Sequence, residues 1–174
     1  MKFKKTILIL ICTLTSVPFF ANDRFPDGTV IPDWFTNFEK VKIEKLGKIY
    51  RITDYGVVND STLLQTERIQ AVIDRAHVNG GGVISFPKGV FLSGALFFRQ
   101  NTHLHLEEDA VLKGSDDISN FPILPTRIEG RSIDYFAALV NADNLDGFTI
   151  SGKGTIDGNG LRYWKSFWLR RKFN

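Results

Sequence analysis

Residues 82–114 read GVISFPKGVFLSGALFFRQNTHLHLEEDAVLKG, and the pattern in this stretch decides the fold. Short apolar runs at 83–86, 90–92, 95–98, 103–106 and 110–113 alternate with small gaps made mostly of Gly, Asn, Pro or charged residues. Runs so short and so closely spaced leave no room for helices between them, which predicts strands. Downstream the pattern returns. Asn101, Leu104, Leu106, Val111, Leu112 and Gly114 are echoed by Asn144, Phe148, Ile150, Thr155, Ile156 and Gly158, the asparagines 43 apart and the others 44. Short strands repeated at such a period are the mark of a solenoid, in which each coil buries its inner face against the next. Between the copies, 116–136 carries Pro122 and Pro125 and reads as a loop leaving the body.

Upstream, Ile69, Val72, Ile73 and Ala76 fall at i, i+3, i+4 and i+7. That spacing predicts one amphipathic helix over 66–77, closed by Asn79 and Gly80. A short strand is expected at 50–55, followed by a turn-rich link over 56–62. The segment 22–48 holds Pro26, Pro32, Trp34, Phe35 and Phe38 without a sustained period and is left unassigned. At the N-terminus, Lys2, Lys4 and Lys5 precede an uncharged apolar run from Thr6 to Ala21. Its length and flanks predict a cleaved secretory signal, not a membrane span. A lipid anchor on Cys12 is disfavoured because Ile11 stands where a small residue is needed. The expected organisation is a signal over 1–21, a lead-in over 22–48 and a β domain over 49–174, with export to the periplasm or beyond.

Cleavage would change the charge argument. The 22 basic residues less these three lysines leave 19, equal to the 19 acidic residues. The basic excess belongs to the leader, so nothing points to a nucleic-acid partner. The single cysteine lies in the leader as well, and the remaining chain is expected to be stabilised by packing without disulfides.

Particular residues carry a resemblance. Asp54, Tyr55, Gly56, Asp60, Thr66, Ile69 and Gln70, followed by Gly80, Gly81, Gly82, Val83, Phe86, Pro87, Gly89 and Phe91, are similar to the opening of pectin-active β-helix proteins. Thr126 to Gly130, and above all Gly152, Lys153, Gly154, Thr155, Ile156, Asp157, Gly158, Asn159 and Gly160 followed by Trp164, resemble bacterial glycoside hydrolase family 28, the polygalacturonases and their rhamnogalacturonase relatives. The similarity spans about 52–171. Ser61 stands where the family has Gly, and Gln65 where it has Asp or Asn. The resemblance implies an all-β, right-handed parallel β-helix, of which these would be the first few coils, with the helix at 66–77 as an N-terminal capping α-helix. It also implies action on a pectic polysaccharide, no cofactor, and a monomer when intact.

Inverting hydrolysis of a glycosidic bond needs a carboxylic acid and a carboxylate roughly 6.5–9.5 Å apart. The family supplies them from an Asn-Thr-Asp segment and an Asp-Asp pair, with Gly-His-Gly and Arg-Ile-Lys segments nearby. Three of these four segments are missing here, and Asp116–Asp117 lies ahead of the Gly152–Gly160 segment that the pair should follow. No catalytic residue is assigned, and the chain alone is expected to be inactive. Asp116 and Asp117 read as a solvated turn, Glu107 to Asp109 as a charged turn, and Asp157 with Asn159 as a tight turn. His103 and His105 share one side of a strand, as a metal pair would, but Leu104 and Leu106 take the inner side, so both histidines are expected to face solvent and no metal site is assigned. Arg127 and Glu129, on the excursion, are the candidates for sugar contact. Trp164, Phe167 and Trp168 form either a stacking face for sugars or a surface packed under further coils. A non-catalytic carbohydrate-binding or structural module, or a lyase or epimerase sharing the fold, are the alternatives.

Overall fold

The structure, a computed structural model, describes residues 24–36 and 42–173. The leader at 1–21 and Cys12 lie outside the described residues. Two compact units separate, Met1–Lys40 and Val41–Asn174. In the first, Arg24 bridges Val30 in antiparallel fashion, Asp27 accepts hydrogen bonds from the Thr29 N–H and hydroxyl, and a short helix α1 (Asp33–Thr36) follows.

The second unit runs β1 (Ile49–Arg51), β2 (Asp60–Leu64), α2 (Thr66–Val78), β3 (Gly82–Phe86), β4 (Gly89–Ser93), β5 (Leu96–Phe97), β6 (Thr102–Leu106), β7 (Ala110–Gly114), β8 (Ile123–Ile128), β9 (Arg131–Phe136), β10 (Val140–Asn141), β11 (Ile150–Gly152), β12 (Thr155–Asp157) and α3 (Leu161–Phe173). The strand expected at 50–55 stops at Arg51. Residues Ile52–Tyr55 instead turn as a 3-10 helix, ended by Gly56 in the left-handed region. The link expected over 56–62 contains the start of β2, whose first residue, Asp60, accepts bonds from the Thr62 N–H and hydroxyl.

Three parallel sheets organise this unit, with orders β1-β3-β6-β11, β2-β4-β7-β12 and β5-β10. The chain visits them in rotation, so each strand lies beside the one before it in the same sheet. Gly82 pairs with Thr102 and Gly89 with Ala110, steps of 20 and 21 residues. That is the repeat of the body. The 44-residue echo read from the sequence is one such repeat lengthened by the excursion between β7 and β10. On β12 the echo is in register, Thr155 on Val111 and Ile156 on Leu112. On β11 it is not: Ile150 pairs with Leu104, not Leu106, because two residues separate Gly152 from Thr155 where four separate their partners Leu106 and Val111.

Alternation along the strands stacks Tyr50, Ile84 and Leu104 in one inner column and Phe91 with Leu112 in another, all fully buried. The α2 stripe of Ile69, Val72, Ile73 and Ala76 joins the same core. Polar residues of α2 stitch it down. Thr66 Oγ accepts from the Gly94 N–H at 2.7 Å, and the Gln70 amide both accepts from the Phe97 N–H and donates to the Phe97 carbonyl, each at 2.8 Å. Gln65 grips Val58 in the same two-way manner. A longer side chain at this helix start therefore works, because it reaches across to the 56–60 segment in place of capping its own helix.

Two further expectations are corrected. The excursion is not a loop: β8 and β9 form an antiparallel ribbon, Ile123 opposite Phe136 and Ile128 opposite Arg131. Its tip is Glu129 and Gly130, both at positive φ, the backbone that a two-residue hairpin turn requires. The histidines do share the side of β6 opposite Leu104 and Leu106, but they do not face open solvent. His103 is 9% exposed with Nδ1 lacking a partner, and the His105 Nδ1 lies 2.9 Å from the Ser151 Oγ of the next strand.

Candidate functional site

The outer side of the β1-β3-β6-β11 sheet carries a polar row. Arg51 donates to both Glu107 oxygens at 2.7 and 2.9 Å, Ser85 donates to Glu107 at 3.0 Å, and His105 meets Ser151 beside them. Stacking brings these residues together. Arg51 and Glu107 are 56 apart in sequence, so Glu107 reads as a turn residue until the coils are laid side by side. The row is internally satisfied, and Glu107 is tied by three bonds.

A cleft of about 310 Å³ opens between the β7–β8 connection, the base of the ribbon and α3, lined by Asp116, Asp117, Phe136, Arg162, Tyr163 and Arg170 among others. A smaller hollow of about 180 Å³ continues from it past Asn159 and Gly160. Arg162 reaches Asp116 at 3.7 Å, and the Tyr163 hydroxyl lies 2.9 Å from the Tyr135 hydroxyl. Asp117 caps the 3-10 turn at Ile118–Asn120. The Ser119 N–H and hydroxyl hold its carboxyl below the ordinary carboxylate range, with help from the Arg162 charge. A general acid needs the opposite shift. Asp117 therefore serves as a permanent anion in a turn, and Asp116 as an ion-pair partner. The hydrogen bond to Tyr163 pushes the Tyr135 phenol up, so it stays protonated. What the cleft offers a ligand is the Tyr163 and Ser166 hydroxyls and the Arg162 and Arg170 guanidinium groups, beside the Asp116 and Asp117 carboxylates. Arg170 has no ion-pair partner among the described residues.

Arg127 lies on β8 and Glu129 at the ribbon tip, both exposed, and neither lines these clefts. Neither side chain makes a hydrogen bond or ion pair among the described residues. Asp157 and Asn159 make the tight turn expected: Asp157 accepts from the Asn159 N–H, Asn159 takes positive φ, and its amide donates to the Gly114 carbonyl of the coil before. Among the described residues no group of three His, Cys, Asp or Glu side chains is placed to hold a metal ion, and no helix is long and apolar enough to cross a membrane. The α3 aromatics stand in the open: Trp164 is 53% exposed and Trp168 56%.

No protein-family model matches the chain. It is 33% identical over 159 residues to an exo-poly-alpha-D-galacturonosidase of Dickeya chrysanthemi, an alignment covering 87% of this chain and 25% of that protein. Among solved structures it resembles a hyperthermoactive exopolygalacturonase from Thermotoga maritima, with a TM-score of 0.62 and 26% identity over 72% of this chain and 28% of the other. It also resembles a family 28 exopolygalacturonase from Yersinia enterocolitica, with a TM-score of 0.57 and 30% identity over 64% and 21%. The chain spans about a quarter of the length of the curated relatives it matches.

Proposed function

We infer, from the premise that this chain is a relative of the polygalacturonases of glycoside hydrolase family 28, that it is directed to pectic galacturonan and supplies binding without hydrolysis of its own. The observation that carries this reading is the 33% identity to a galacturonosidase over most of the chain, on a body of parallel sheets visited in rotation. That rotation supports the finer architecture we assign, a right-handed parallel β-helix with α2 as its cap. The leader at 1–21 supports export.

The assignment of binding without turnover rests on the carboxylates. Glu107 is tied to Arg51 and Ser85, Glu108 to Lys153, Asp109 to Lys88, Asp74 to Arg99, Asp116 to Arg162 and Asp117 to Ser119. Each of these carboxylates is held by a neighbouring cation or hydroxyl donor, whereas glycoside hydrolysis requires a protonated carboxyl working with a second carboxylate across the scissile bond. Arg127 on β8 and Glu129 at the ribbon tip, both exposed, remain our candidates for contact with the sugar chain.

The test uses the full chain and unesterified polygalacturonate, with affinity electrophoresis for binding and reducing-end release for hydrolysis. Retarded migration without reducing-end release is expected. Unretarded migration at low salt would overturn the pectic assignment, and release of reducing ends would overturn the assignment of binding alone. Ultraviolet-absorbing unsaturated products would mark a lyase instead.

A further inference from the structure

We propose that α3 is a polyuronate-binding element, which seats an acidic sugar chain along the groove formed by Leu161, Trp164, Lys165, Trp168, Leu169 and Lys172. This rests on the pectic assignment above for the source of the ligand, but its argument is the chemistry of the helix itself. The sequence of α3 is LRYWKSFWLRRKF, with five cations and no carboxylate. Lys165, Arg170 and Lys172 have no ion-pair partner among the described residues, so their charge is uncompensated. The groove that Lys165 and Lys172 border has a volume of about 530 Å³.

Within it Trp164 and Trp168, one helical turn apart, lie 6.5 Å between centroids and only 21° from parallel. They present two neighbouring flat apolar faces. The Arg171 guanidinium sits 5.4 Å from the Trp168 ring and 6.0 Å from Phe167, which fixes the outer edge of the platform. A polyuronate offers the complement: apolar pyranose faces to lie on rings, and one carboxylate per sugar to meet ammonium or guanidinium groups.

A cationic aromatic helix also suits an anionic membrane, and the arrangement of its residues decides between the two. A membrane-surface helix segregates its apolar residues on one side and its cations on the other. At 100° per residue, Leu161 and Trp168 are flanked closely by Lys172 and Lys165, and Trp164 by Arg171, so rings and cations interleave around the circumference. Interleaving exposes cations wherever rings are exposed. That fits a ligand in which charge and apolar face alternate at short range, and it would force charge into the acyl region of a bilayer.

The experiment titrates the full chain with oligogalacturonate, fully methyl-esterified oligogalacturonate, and vesicles of equal phosphatidylserine and phosphatidylcholine, reading intrinsic tryptophan fluorescence and co-sedimentation. Two double variants test the two halves of the chemistry: Trp164→Ala with Trp168→Ala, and Lys165→Gln with Lys172→Gln. Because these side chains are exposed, circular dichroism of both variants should match the parent chain. Binding of the acidic oligomer that weakens about tenfold in each variant, with little binding of the ester or the vesicles, is the expected result. Oligogalacturonate binding unchanged by both variants would overturn the α3 assignment while leaving the pectic reading intact, and would send the search to Arg127 and Glu129. A parent chain that ignores the acidic oligomer overturns both, and one that co-sediments with vesicles instead makes α3 a membrane contact.

Discussion

Gln65 and Gln70 show what a single residue can do in this body. Both are side-chain amides that imitate a strand, pairing an N–H and a carbonyl of a segment that has no strand beside it there. Removing either leaves two backbone groups without partners in a part-buried place, a loss of about 1–3 kcal/mol. Gln70→Ala is therefore predicted to lower the unfolding free energy read from chemical denaturation by that amount, while Gln70→Glu, which keeps the acceptor but loses the donor, should be no better. His103 gives a pH prediction. Burial holds its imidazole below the ordinary value of 6.5, so the folded chain keeps it neutral where the unfolded chain is protonated. The unfolded state binds more protons in that window, so stability falls as pH drops below 6.5 and levels off once the folded form also titrates. His103→Leu should flatten thermal stability measured between about pH 7 and 5, leaving only the carboxylate loss below about pH 4, where Asp60 and Asp117 lose their hydrogen-bonded charge. A variant with the parent's slope between 7 and 5 would assign that slope to another group.

At the scale of the element, α2 was legible because its stripe serves a single purpose. Ile69, Val72, Ile73 and Ala76 all point into one core, and no competing contact blurs the period. Ile73, fully buried, is predicted to cost about 2–5 kcal/mol on replacement by Ala, read by chemical denaturation. The strands from β3 to β7 were legible for the same reason. The ribbon of β8 and β9 was not, because both its faces are largely exposed and its residues show no alternation of burial. Pro122 and Pro125 also argue for a loop on their own, yet Pro125 sits within a two-stranded ribbon, where the demands of a central strand do not apply. His103 and His105 lie on the side of β6 that alternation assigns them, but that side is covered and not open to solvent. Alternation tells which residues share a face, and says nothing about what later covers that face. The candidate site suffered most. Glu107, Arg51 and Ser85 meet only through coil stacking, and Asp116 is explained by Arg162, a residue on a helix 46 positions later.

Across the molecule, burial is graded along the stack. Leu104 and Leu112 are fully buried, while their partners in the following strands, Ile150 and Ile156, are 52% and 42% exposed. Among the described residues β11 and β12 are the outermost strands of their sheets, so each offers a row of backbone donors and acceptors with an apolar side chain beside it. Such an edge recruits another strand unless charge or a bulge blunts it. The flanking cations lie on α3 and Lys153, and none is on an inward position of either strand. The chain is therefore predicted to self-associate as its concentration rises, with light scattering increasing before any loss of circular dichroism. A lysine at the edge opposes strand addition by desolvation and like-charge repulsion, so Ile150→Lys with Ile156→Lys should move the onset of scattering to higher concentration. The α3 variants Trp164→Ala and Trp168→Ala separate the two sources of stickiness. If they suppress scattering and the edge lysines do not, association runs through the aromatic helix and not through the open strands. If only the edge lysines act, the exposed rim of the parallel stack is the reactive surface, and α3 is left free for its ligand.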